Sequence, residues 1–106
     1  MIGDVEPKAD VVEALMRMAG GHGVLLWHKS KRWASATFEG SRDEIAFEYM
    51  GPEATAAGEQ LLTDLFDAEF RLRGRIVSDV KIGYYTRLQR PQPRMVVVLE
   101  LLILKD

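Results

Sequence analysis

Cysteine is missing from this sequence, and with it disulfides, thiol nucleophiles and thiolate metal sites. Histidine is nearly missing: only His22 and His28 occur. Six residues apart on one strand, they would stand roughly 20 Å from each other, and no HExxH-like spacing accompanies them, so no metal site is expected. Neither sign of charge prevails. A formal charge of −2 gives no global attraction to nucleic acid or to anionic lipid. Long apolar runs are missing as well. The longest, Met95–Leu104, reaches about half the roughly 20 residues of a spanning helix and is broken by Glu100. Asp4, Glu6 and Asp10 interrupt the N-terminal stretch where a secretion signal needs apolar residues. A soluble, cytoplasmic protein without membrane contact is expected, and the absence of cysteine fits a reducing compartment.

The recognised patterns for chemistry are also wanting. There is no G-x-S-x-G elbow, phosphate-binding loop or dinucleotide fingerprint. Gly20-Gly21-His22-Gly23 follows a helical pattern and precedes a strand pattern, the reverse of a phosphate cradle, and reads as a helix stop. No catalytic residue and no cofactor are assigned.

What is present describes a single α+β domain over residues 1–106, with 1–7 as a loose lead-in. The composition, 47% hydrophobic and 28% charged, is that of an ordinary globular chain with enough length for its own core. The strongest pattern runs from Pro52 to Gly74. Ala54, Ala57, Gly58, Leu61, Leu62, Leu65, Phe66, Ala68 and Leu72 fall at three- and four-residue spacing. Thr55, Glu59, Gln60, Thr63, Asp64 and Asp67 take the other side as a solvated face. Pro52 suits the first turn, Arg71 and Arg73 the last, and Gly74 the cap. A shorter helix is expected over Lys8–Ala19, closed by Gly20-Gly21.

Between the helices the apolar period changes to two. Three strands are expected, at Gly23–Lys29, Arg32–Glu39 and Glu44–Met50, with turns at Ser30-Lys31 and Gly40–Asp43. In that register Trp27, Phe38 and Phe47 share the core with Leu61, Leu65 and Val97. After the central helix Ile76–Leu88 alternates, placing Val80, Ile82, Tyr84, Thr86 and Leu88 on one face. Arg90-Pro91-Gln92-Pro93 makes a turn, and Met95–Leu104 is the last strand. The expectation is a mostly antiparallel five-stranded sheet with two helices, in the order α-β-β-β-α-β-β.

Two surfaces are candidates for function. The first is a ligand cleft at His28, Trp33 and Glu48 with Tyr84, where a histidine beside a carboxylate could act as a base. A polar, half-exposed position is the weightier reading of His28, since no orienting partner is identifiable in the sequence. The second is the last strand, apolar on both faces. If both helices lie on one side of the sheet, Val96, Val98, Leu102 and Leu104 remain for a second copy of the chain. A monomer in which the first helix covers that face is the competing arrangement.

The leading order α-β-β-β-α resembles that of double-stranded-RNA-binding domains, which the basic clusters Lys29, Lys31, Arg32 and Arg87, Arg90, Arg94 would suit. The resemblance implies lysines at the start of the second helix to grip phosphates. Here that end reads Gly51-Pro52-Glu53, which repels them, and nucleic acid is disfavoured as a partner. The leading expectation is a non-catalytic homodimeric binding module. The alternative is a small-molecule-binding protein or enzyme.

Overall fold

The computed structural model describes residues 7–67, 71–72 and 74–105. The loose lead-in expected for 1–7 falls outside them except for Pro7, which already opens the first helix.

Helix α1 spans Pro7–Met18. Val11, Leu15 and Ala19, four apart, bury one face. The chain then stops in a Schellman arrangement: the Gly21 N–H donates to Met16 O at 2.9 Å and the Gly20 N–H to Arg17 O at 3.0 Å. Gly20 adopts the left-handed φ of 64° that this closure requires.

Strands β1 (Val24–Ala34) and β2 (Glu39–Met50) form one long antiparallel hairpin where three strands were expected. Ser30-Lys31 lies inside β1 and Gly40–Asp43 inside β2. The turn sits at Ser35–Phe38. The Ser35 N–H donates to Phe38 O at 2.7 Å, and the Ser35 hydroxyl accepts the Phe38 N–H at 3.1 Å. The Ser35 side chain closes its own turn, whereas the Ser30 hydroxyl donates across the strands to Asp43.

Helix α2 runs Pro52–Leu65 and buries Thr55, Gly58, Leu61 and Leu65 at spacings of three and four. It is shorter than the Pro52–Gly74 expected. Phe66 is 58% exposed, Ala68 and Arg73 lie outside the described residues, and Arg71–Leu72 forms the short strand β3. Gly74, at φ 66°, lies between the paired residues Leu72 and Arg75, where it reverses the chain instead of capping a helix. Strands β4 (Arg75–Leu88) and β5 (Arg94–Lys105) follow.

Four strands of 11 to 14 residues make the body of the sheet, with the two-residue β3 on its edge in the spatial order β1-β2-β5-β4-β3. The expected five-stranded order α-β-β-β-α-β-β is therefore corrected: the first three strands are two. All pairings are antiparallel, and β5 lies in the middle. Its two edges are shielded by β2 and β4, while its two faces, both apolar, differ in that one packs under the helices and the other does not.

Both helices bury their apolar faces in one core cluster with alternate residues of β2 and β5. Ile45, Phe47, Tyr49, Met95, Val97, Leu99, Leu101 and Ile103 belong to it. Where α2 crosses, Gly58 leaves no room for a side chain: an added Cβ would lie 2.8 Å from Met95 Cε and 2.9 Å from the Tyr49 ring. Of the expected core, Leu61, Leu65, Phe47 and Val97 are buried, whereas Trp27 is 37% and Phe38 54% exposed. A bulge at Leu26 shifts the parity of β1 and turns Trp27 to the other face, and Phe38 belongs to the turn.

Candidate functional site

Antiparallel register decides which side chains stand together, since directly paired residues project to the same side. Phe47, paired with Leu25 and Val97, marks the face the helices cover. The opposite face follows from the intervening pairs. Trp27, Ala46, Val98 and Tyr84 form one row across the four strands. Lys29, Glu44, Glu100 and Lys81 form the next, then Lys31, Arg42, Leu102 and Asp79, then Trp33, Gly40, Leu104 and Ile76. The open face thus carries two aromatic and aliphatic rows with two charged rows between them.

The charged rows surround a concavity of about 310 Å³, lined by Lys29, Lys31, Arg42, Glu44, Asp79, Lys81, Glu100 and Leu102, with Ser30, Asp43 and Leu101 also bordering it. Within the chain the ionic contacts there are loose. Lys81 reaches Glu100 at 3.8 Å, Lys29 lies 5.0 Å over the Trp27 ring, and Arg42 lies 5.9 Å from Trp33. At one end of the face, Arg94 is fixed more firmly by Glu48 at 2.6 Å.

The four residues of the expected interface, Val96, Val98, Leu102 and Leu104, all lie on this open face and are all half-buried. No helix of the described residues covers them, so the competing arrangement with the first helix over that face is not the one found. The expected ligand cleft is not assembled. Trp33, Glu48 and Tyr84 are on the open face, but in different rows, and Glu48 is held by Arg94. His28 projects to the covered face, paired with Ile45. Two further bulges, at Ser78 and at Gly83, split the alternation expected for β4: Val80 and Ile82 go to the covered side, Ile76 before them and Tyr84, Thr86 and Leu88 after Gly83 to the open one. A glycine inside a strand pattern was the available signal for the shift at Gly83.

Two polar clusters on the covered side escaped the sequence reading. In the first, Asp43 accepts from His28 Nε2 at 2.6 Å and from Ser30 Oγ at 3.1 Å. The Asp43 side chain is 1% exposed and that of His28 10%. His28 therefore does have an orienting partner, contrary to the expectation from sequence, which had placed Asp43 in a turn. In the second, Glu59 of α2 accepts from the Tyr85 hydroxyl and from Arg87 Nη1, the latter at 2.7 Å. The Tyr85 hydrogen bond, followed by the Arg87 guanidinium, holds the Glu59 carboxyl below its usual range, while the same bond raises the Tyr85 phenol. Glu59 had been read as one of four solvated acids along the helix. Burial alone pushes the Tyr49 phenol up to about 12.

Neither cluster has the arrangement of a nucleophilic triad. Ser30 and His28 both point to Asp43 rather than to each other, which leaves the serine without a base. No group of three or more His, Asp or Glu among the described residues is placed to hold a metal ion. No described helix is long and apolar enough to cross a membrane. Compared with family models, with curated proteins and with solved structures, the chain matches none.

Proposed function

We propose that this protein is a non-catalytic binding module that associates with itself through the open face of its sheet. The observation that carries the reading is the pair of apolar rows on a face that no described helix covers. Trp27, Val98 and Tyr84 in one row and Trp33, Leu104 and Ile76 in the other form a surface of the kind that soluble monomers seldom leave in water. A second copy supplies the same rows, and one self-complementary surface suffices to close a dimer. Nucleic acid is a poorer fit to this face. Its cations, Lys29, Lys31, Arg42, Lys81 and Arg94, are nearly matched by Glu44, Glu48, Asp79 and Glu100, so a phosphate backbone meets little net attraction.

Sedimentation at micromolar concentration tests the reading. The unmodified protein is expected as a dimer, and Val98→Glu as a folded monomer, because Val98 lies outside the core cluster. A monomeric unmodified protein sinks the proposal.

A second reading rests on the Asp43–His28 pair, where a carboxylate orients an imidazole as in general-base catalysis. What the pair contributes to stability separates this reading from a purely structural one.

A further inference from the structure

Charge across the open face restricts how two copies can meet, and this inference rests on the self-association proposed above. Face-to-face pairing places a twofold axis in the plane between the sheets, either along the strands or along the rows. An axis along the strands sets β1 against β4 and β2 against β5 at the same level. Lys29 would then meet Lys81, and Glu44 would meet Glu100, so the row that ought to hold the centre repels throughout. An axis along the Glu100 row itself sets each charge against its own copy. Moving it between the Val98 and Glu100 rows buries Glu44 against Ala46 and Lys29 against Trp27, which strips ions of water without partners.

The position between the Glu100 and Leu102 rows sets opposite charges together instead. There Arg42 of each copy meets Glu44 of the other, and Asp79 meets Lys81. The flanking rows match as well: Trp27 comes opposite Trp33, Val98 opposite Leu104, and Tyr84 opposite Ile76. We infer that the two copies pair about this axis, with four ionic contacts between subunits around the centre and an apolar row on either side. Two mismatches accompany it: Lys29 meets Lys31 on β1, the edge strand, where both ammonium groups can reach water, and Glu100 meets Leu102 on the central β5, where Glu100 keeps Lys81 of its own chain at 3.8 Å as a partner. The concavity of about 310 Å³ sits on the same axis and gives the long side chains of both copies room to cross. Sheet twist rotates facing sheets by about 30°, which displaces residues at the strand ends more than those beside the axis, so the central pairs define the register.

Charge exchange tests it. Arg42 and Glu44 are both exposed, so Arg42→Glu and Glu44→Arg leave the core untouched. Each variant alone sets like charges together twice and is expected to weaken its own dimer at least about tenfold, since like-charge contacts cost several kcal/mol. Mixed in equal amounts, the two set Glu against Arg at both contacts, and native mass spectrometry should find a dimer with one copy of each. If the unmodified protein dimerises but either variant pairs with itself equally well, or the mixture shows no preference for the mixed dimer, this register is wrong while self-association stands. A unmodified protein that stays monomeric removes both.

Discussion

The two faces of this sheet are made from the same strands and differ in what holds them. On the covered face most central positions are large apolar side chains in one core cluster with the helices, and Asp43, His28 and Glu59 have named partners, although Arg87 Nε is buried with none. On the open face apolar and charged rows alternate, and the charges of the middle rows have only long or sideways contacts within the chain. The contrast separates a surface packed by folding from one whose charges are only loosely engaged within the chain. Stability should therefore reside on one side and association on the other.

The largest expected effect breaks the covered side. Leu61→Ala or Leu65→Ala empties space in a core whose members are almost fully buried, at a cost of about 2–5 kcal/mol in denaturant unfolding. Trp27→Ala removes a larger side chain from the open face and should cost well under half as much when measured below the concentration at which copies associate. Equal losses for the two would mean that the open face is part of the folding core.

An intermediate effect bears on the Asp43–His28 pair. His28→Ala leaves a carboxylate that is almost wholly buried with only Ser30 as a donor, a loss of about 1–3 kcal/mol. Ser30→Ala, which keeps the shorter bond from His28, should cost less than His28→Ala. A pair maintained for chemistry tends to be neutral or costly to stability. If His28→Ala leaves stability unchanged or improves it, the catalytic reading gains and the structural one falls.

How far the fold was legible follows from where parity is kept. Val11, Leu15, Leu61, Leu65 and the whole of β5 could be placed because a helix or strand without interruption repeats its period faithfully. Legibility failed at single extra residues. Leu26, Ser78 and Gly83 each add one residue to a strand, and every side chain beyond them changes face, which moved Trp27 and reassigned Tyr84. The ligand cleft drawn through His28, Trp33, Glu48 and Tyr84 failed for that reason, together with the false turn at Ser30-Lys31. Val96, Val98, Leu102 and Leu104, expected at an interface, do share one face, because β5 has no bulge. Asp43 and Glu59 were out of reach, since their partners lie 15 and 26 residues away and a carboxylate looks the same in sequence whether solvated or held.

The smallest effect sharpens the comparison at the rim of the covered side, where α2 meets β4. Glu59 titrates below its usual range in the folded protein, first because Tyr85 donates to it and then because Arg87 does. A carboxyl lowered on folding stabilises above the ordinary carboxylate pKa, and that contribution is lost as pH falls through the lowered value. Acid should therefore loosen the contact between α2 and β4, but only slightly, because Glu59 and Arg87 are 37% and 29% exposed and water screens such pairs. Glu59→Gln should lower stability slightly at neutral pH, leave it unchanged in acid, and so flatten the acid limb of the profile. Tyr85→Phe and Arg87→Gln should each move the Glu59 titration, followed by carboxyl NMR, up towards the usual range. A titration that neither variant moves would show that these two side chains do not anchor this end of the helix.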